Sequence, residues 1–92
     1  MTKADIVEQI SAETGVDKKT VLTVVESFMS NVKQDMVNGE EVFLRGFGSF
    51  IIKTRAEKIG RNIGQNTSVV IPEHNIPAFK PCKEFVAAVS KL

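Results

Sequence analysis

The chain has no tryptophan or tyrosine, one cysteine and one histidine among its 92 residues, and this limits the chemistry it can perform. A single cysteine forms no internal disulfide, which suits a reducing cytoplasm. His74 has no second histidine or cysteine at metal-ligand spacing, so a structural or solvent-exposed role is favoured. Cys82 has no evident base, and neither Gly46 nor Gly48 precedes a lysine placed to reach a phosphate. We therefore expect no catalytic residue, no metal, no cofactor and no small-molecule substrate.

Long hydrophobic runs are missing as well. The apolar stretches FVAAV and SVVIP are far shorter than the roughly 20 residues that cross a bilayer, and no signal-peptide pattern opens the chain. The length fits a single domain, 1–92. A monomer of this size buries only about two-thirds of its unfolded surface. With six phenylalanines and 42% apolar residues, the chain has more apolar surface than such a monomer can bury, which suggests a partner chain. We expect a soluble cytoplasmic homodimer with no membrane partner.

A strong net charge is also missing, since the total is only +1 at pH 7. The charges are nevertheless unevenly distributed along the chain. Residues 1–45 carry five basic and eight acidic side chains, a net charge of −3, whereas residues 46–92 carry seven basic and three acidic, a net charge of +4. The second half is therefore suited to present a basic face to phosphate, which the first half would repel.

The pattern of apolar and capping residues predicts a base of two helices over residues 1–39. Thr2 suits the N-cap of the first helix, and Gly15 suits its C-terminal stop. Asp17 suits the N-cap of the second helix, which Gly39 ends. The second helix has an apolar stripe wider than the short first helix can cover, so an identical helix is the simplest partner. The stripe consists of Val21, Leu22, Val25, Phe28, Met29, Val32 and Met36.

The sequence pattern predicts strands over residues 41–80 and a final helix over residues 81–92. The segment EVFLRGFGSFIIKTR (41–55) is rich in β-branched and aromatic residues, which favours two strands joined at a tight turn. The pattern predicts one long β-ribbon over residues 50–71, with its tip at 62–66, and Pro72 ends the returning strand. The part that projects as an arm is about 52–72 and reaches roughly 30 Å. Residues 75–81 predict a short extended segment, and Pro81 suits the first turn of the final helix.

Basic residues follow the predicted arm and the start of the final helix. They are Lys53, Arg55, Lys58 and Arg61 on the arm, and Lys80 and Lys83 near the helix start. Such cations suit phosphate binding. They also prevent edge-to-edge aggregation of exposed strands, and charge alone leaves both interpretations open. Ile63 at the tip matches the apolar wedge that minor-groove binders insert between base pairs. The alternative is an ordinary hairpin residue folded back on its own arm.

Three segments carry a resemblance to a known family: RGFGSF at 45–50, GRN at 60–62 and IPAFKPCK at 76–83. With these segments in this order and spacing, the chain resembles the bacterial histone-like DNA-binding proteins HU and IHF over essentially its whole length. The resemblance implies an α+β fold and an intertwined homodimer. Its parts would be a two-helix base, a β-sheet saddle with extended β-ribbon arms, and a short C-terminal helix. The implied dimer core includes Phe28, Phe47, Phe50 and Phe79.

The resemblance also implies which residues meet DNA. From the arm, phosphate and minor-groove contacts would come from Arg55, Lys58 and Arg61, with Asn62 beside them. From the body, backbone contacts would come from Lys3, Lys53, Lys80 and Lys83. Ile63 stands where the family usually has an intercalating proline, and Asn66 and Cys82 stand where it usually has glycines. The resemblance leaves open a heterodimer with a paralogue.

The sequence therefore predicts a non-enzymatic, nucleoid-associated architectural protein of the bacterial cytoplasm. We expect it to bind double-stranded DNA through the minor groove with little sequence specificity, and to bend and compact it by arm insertion and wedging by Ile63. Two alternatives remain. One is a binder of structured RNA, and the other is a structural interaction protein whose arm recruits a protein partner by strand addition.

Overall fold

The computed structural model describes residues 1–62 and 67–92, and two helices come first along the chain. Helix α1 spans Lys3–Thr14 and begins at Thr2, whose hydroxyl accepts a hydrogen bond from the backbone N–H of Asp5. In return, the backbone N–H of Thr2 donates to the Asp5 carboxylate at 2.9 Å. Gly15 ends the helix in the left-handed conformation, with φ of 76°, that glycine adopts without strain. Both predicted boundaries of this helix are confirmed.

Helix α2 spans Lys18–Val37 and begins at Asp17, as predicted. The Asp17 carboxylate accepts hydrogen bonds from the hydroxyl of Thr20 at 2.7 Å and from its backbone N–H at 3.1 Å. These bonds stabilise the charged carboxylate and lower the pKa of Asp17. The backbone N–H and the hydroxyl of Thr2 lower the pKa of Asp5 in the same way. Both helix starts therefore depend on an ionised carboxylate.

Five strands and a third helix make up the rest of the chain. The strands are β1 (Val42–Leu44), β2 (Gly48–Arg55), β3 (Lys58–Asn62), β4 (Thr67–Ile71) and β5 (His74–Pro81). One antiparallel sheet has the order β1-β2-β5, and the pair β3-β4 forms a separate two-stranded ribbon. Helix α3 (Lys83–Ser90) follows β5 and has Cys82 as its N-cap. The α+β class predicted from the sequence is confirmed.

Two sequence predictions about this region are wrong. Residues 50–71 do not form one continuous ribbon, because β2 pairs over its full length with β5 and not with β4. The β3-β4 ribbon covers residues 58–71, and residues 56–57 and 72–73 connect it to the three-stranded sheet. The final helix does not begin at Pro81, since that residue ends β5 in register with Gly48. Residues 75–81 thus belong to a full strand.

One face of the three-stranded sheet is apolar and turns toward α2. Side chains alternate along a strand, so the β2-β5 register puts Phe50 and Ile52 on the same face as Phe79 and Pro77. We call this the inner face. A groove of about 700 Å³ separates much of it from the apolar stripe of α2. The groove is lined by residues that include Phe28, Met29, Val32, Met36, Phe50 and Ile52.

The single chain leaves its apolar side chains poorly covered. In the described part of the chain, Val7 and Val21 are the only large apolar side chains that are buried, and neither is completely so. Phe28 remains 44% exposed and Phe47 45% exposed. Aromatic rings of the strands and of the β1-β2 turn do cluster, with 5.0 Å between the centroids of Phe47 and Phe79 and also between those of Phe50 and Phe79. Phe85 of α3 joins this cluster at 5.6 Å from Phe47.

Candidate nucleic-acid interface

The opposite side of the three-stranded sheet, which we call the outer face, collects basic side chains. Arg55 is in register with His74, and Ser49 is in register with Lys80. Directly paired residues of antiparallel strands project to the same side, and Lys53 lies two residues before Arg55 on that side. Lys53, Arg55 and Lys80 are all exposed. Neither β2 nor β5 contains an aspartate or glutamate, so these two strands add only positive charge to the outer face.

A basic cleft of about 440 Å³ lies beside the outer face, between the β1-β2 turn and the start of α3. Arg45, Lys80 and Lys83 line it. The backbone N–H of Cys82 donates to the carbonyl oxygen of Phe47 at 3.0 Å, which fixes the helix start against the turn. Unpaired N–H groups in the first turn of a helix attract anions, and the three cations add to that attraction. Arg45 was not among the DNA contacts predicted from the sequence, although it opens the RGFGSF segment.

Lys3 lies apart from this surface, on α1. Its Nζ is 2.9 Å from Oε1 of Glu26 on α2, and the two side chains are 49% and 53% exposed. The carboxylate offsets the charge of the lysine and takes one of its three N–H donors, so exchange of Glu26 for a phosphate would give DNA the full charge of Lys3. An ion pair this exposed is weak enough to be exchanged in that way. The DNA contact predicted for Lys3 stays a prediction.

The β3-β4 ribbon carries the remaining predicted contacts and presents apolar side chains to solvent. Ile59 and Val70 are directly paired across the ribbon and are 73% and 55% exposed. Lys58, the first residue of β3, is exposed as well. The backbone of Arg61 and Asn62 forms the end of β3. Two paired strands with no core beneath them make a slender element that is suited to enter a groove.

The predicted tip lies beyond these strands. Ile63, the predicted wedge, and Asn66 fall outside the described residues, so both assignments remain predictions from the sequence. Within residues 1–62 and 67–92, no group of three or more histidine, cysteine, aspartate or glutamate residues is arranged to hold a metal ion. No described helix is both long enough and apolar enough to cross a membrane.

His74 occupies a position that the sequence did not single out as functional. It is the first residue of β5, is exposed, and lies on the outer face in register with Arg55. Its Nδ1 is 2.9 Å from the carbonyl oxygen of Pro72. The sequence predicts a structural or solvent-exposed histidine. In the structure the residue is exposed, and Nδ1 lies within hydrogen-bond distance of the Pro72 carbonyl oxygen.

Comparison with known proteins identifies the family. The profile of the family described as bacterial DNA-binding protein matches residues 1–90. The chain belongs to this family. It is 37% identical over 91 residues to the DNA-binding protein HU of Thermus thermophilus, covering 99% of this chain and 94% of that protein. It is 34% identical over 92 residues to the integration host factor subunit alpha of Aliivibrio fischeri, covering 100% of this chain and 94% of the relative.

The fold agrees with this family. An HU–DNA cocrystal structure from Anabaena matches with a TM-score of 0.92 and 31% identity, covering 97% of each chain. The HU and IHF resemblance inferred from RGFGSF, GRN and IPAFKPCK is thus confirmed. Members of this family are non-enzymatic, DNA-binding architectural proteins, so the prediction that the chain is not an enzyme is confirmed on that ground.

Proposed function

We propose that two copies of this chain form a dimer that binds double-stranded DNA with little sequence preference and bends it in the bacterial nucleoid. The observation that carries the proposal is the outer face. There the β2-β5 register gathers Lys53, Arg55 and Lys80, while neither strand supplies an acidic residue. Cations spaced along an exposed sheet suit a polyanion backbone, and such contacts position a protein on DNA without reading its sequence.

The dimer is supported by apolar side chains that the single chain leaves uncovered. Phe28 and Phe47 are 44% and 45% exposed in the single chain, although burying such a side chain fully stabilises a fold by about 1.5–3 kcal/mol. The groove between α2 and the inner face is apolar and open. A second copy of the same surface is the simplest occupant, because a two-fold interface is self-complementary. A heterodimer with a paralogue would use the same surface.

The β3-β4 ribbon serves as the arm. In our proposal Lys58, Arg61 and Asn62 follow the minor groove, and Ile63 enters a base step from the tip. Wedging costs a few kcal/mol per step, which the additional wrapped surface offsets. The main support for the wedge is the sequence position of Ile63, where related proteins usually carry an intercalating proline.

A salt series on a labelled duplex tests DNA binding. If the dimer neutralises about six to ten phosphates, affinity should fall by about 10³–10⁵ between 50 and 200 mM salt. Lys53→Gln should reduce the slope of log K against log salt by about 0.9 for each phosphate that is no longer neutralised, hence by about 1.8 per dimer. Lys19→Gln, in the first turn of α2 on the helical base, is the matched control and should leave the slope unchanged. A flat salt response of the parent protein would rule out the proposal.

DNA bending needs its own measurement, by energy transfer between dyes at the two ends of a duplex. Ile63→Asp should reduce the bend at saturating protein more than it reduces affinity at low salt. Ile59→Asp adds the same charge to an exposed apolar position of the ribbon away from the tip, and should weaken binding while leaving the saturated bend intact. Equal loss of bending in both variants would mean that Ile63 is not a wedge.

The strand-addition alternative finds little support at the three-stranded sheet. The backbone N–H of Ile52 donates to the Glu41 carboxylate at 2.9 Å, away from β5. Ile52 and Pro77 therefore form a pair without hydrogen bonds between them, and the backbone N and C=O of Pro77 point to the free edge of β5. Backbone directions repeat every second residue, so Pro81 has the same orientation. Neither proline has an N–H, so this edge is a poor template for a further strand. A protein partner on the ribbon would bind at high salt and without nucleic acid, and competition with matched RNA duplexes tests the RNA alternative.

A further inference from the structure

His74 stands where the three-stranded sheet gives way to the ribbon, among the cations of the outer face. It is in register with Arg55, and Lys53 lies on the same side of β2. The two connections between the sheet and the ribbon each carry one acidic residue, Glu57 and Glu73. Of the two ion pairs in the described part of the chain, neither involves the His74 ring. The ring is therefore exposed on a cationic surface with no carboxylate bonded to it.

The contact with Pro72 determines which ring nitrogen is free. Nδ1 lies 2.9 Å from the Pro72 carbonyl oxygen, and a carbonyl oxygen can only accept a hydrogen bond. Nδ1 must then carry the hydrogen and donate it. In the neutral ring, Nε2 is consequently an unprotonated acceptor, which repels the acceptor oxygens of a phosphate. When Nε2 gains a proton, the ring becomes a cation with a second donor, and the Pro72 bond is kept.

We propose that His74 is a phosphate-binding residue of the outer face and that it binds DNA in its imidazolium form. This inference rests on the proposed DNA-binding function. Because a phosphate favours the charged ring, complex formation takes up protons, and affinity must fall as the pH rises through the range in which histidine titrates. With one additional contact per protomer, we expect binding to be on the order of fivefold tighter at pH 5.5 than at pH 7.0.

The chain allows a sharp test because it contains no second histidine. Between pH 5.5 and 7.0, histidine is the side chain whose ordinary titration changes its charge. Fluorescence anisotropy on one duplex, at constant ionic strength, should give the pH dependence for the parent protein. His74→Gln, which keeps polar atoms but cannot become charged, should bind with the lower affinity at both pH values. His74→Lys, with a fixed charge, should bind with the higher affinity at both.

A second measurement separates a DNA contact from an effect on folding. In a symmetric dimer the single histidine gives one set of ring proton resonances to follow by NMR, and DNA should keep the ring charged to a higher pH than in the free protein. Unchanged titration with DNA, or an equal pH dependence in His74→Gln, would overturn the inference. Binding that is salt-dependent but independent of pH would also overturn it while leaving the proposed function intact. Failure to bind DNA at any pH would instead refute the proposed function.

Discussion

Replacement of Gly48 by alanine should weaken the fold at the point where β2 meets β5. A Cβ atom at this position would lie 2.6 Å from the carbonyl oxygen of Lys80, and 2.7 and 2.8 Å from two ring atoms of Phe79. Carbon atoms do not approach so closely, and the Lys80 carbonyl is backbone in a paired strand, so it cannot rotate away. Overpacking of this kind costs about 1–3 kcal/mol. Part of that cost is offset by about 0.4–1 kcal/mol, because alanine restricts the unfolded chain more than glycine does.

The assay is thermal and urea unfolding followed by far-ultraviolet circular dichroism, which suits a chain without tryptophan or tyrosine. The mid-range values leave a net loss of about 1 kcal/mol, which should lower the melting temperature by roughly 4–8 °C in a domain of this size. All proteins must be compared at one concentration, because the stability of a dimer depends on it. Gly60→Ala is the control, since a Cβ atom there meets nothing closer than the Val69 carbonyl oxygen at 3.8 Å. If the two variants unfold alike, the close approach at Gly48 does not constrain the fold.

Three further predictions concern the helices. The lowered pKa of Asp17 means that its contribution to stability is present above the ordinary aspartate value of about 3.9 and is lost as the pH falls through the lower folded value. Acid unfolding below about pH 4 should therefore be less steep for Asp17→Asn, and an identical acid transition would contradict this. Glu26→Gln should free Lys3 and tighten DNA binding by up to about fivefold, measured by anisotropy at low salt. Phe28→Ser should shift sedimentation from dimer toward monomer far more than Val24→Ser, whose exposed side chain does not line the groove.

The helix boundaries could be predicted because the groups that set them are local. Thr2 bonds with Asp5 within one turn, and Asp17 with Thr20. Strand β5 was underestimated for a reason that is not local. Prolines normally argue against a strand, and β5 contains two. They are tolerated because their backbone faces the free edge, and that orientation follows from pairing with Ile52 and Gly48, which lie much earlier in the chain.

The charges of the candidate interface could be predicted, but their arrangement could not. The sequence identified Lys53, Arg55 and Lys80 as basic residues of the second half. Their common face depends on the β2-β5 register, which a one-residue slip would reverse for one of the strands. The sequence predicts a structural or solvent-exposed His74 and no phosphate contact, since nothing near it in sequence indicates that Arg55 lies opposite. Ile63 stays a prediction, because it lies outside the described residues.

The division of the strands into two sheets has a consequence for how members of this family can diverge. The ribbon has its own backbone pairing and joins the rest of the chain through residues 56–57 and 72–73. The ribbon and its two connections can therefore differ between relatives without a change in the three-stranded sheet or the helices. Ile63, the proposed wedge, and Asn66 both fall within residues 56–73, so the proposed DNA contact can change while the surface proposed for dimerisation stays the same.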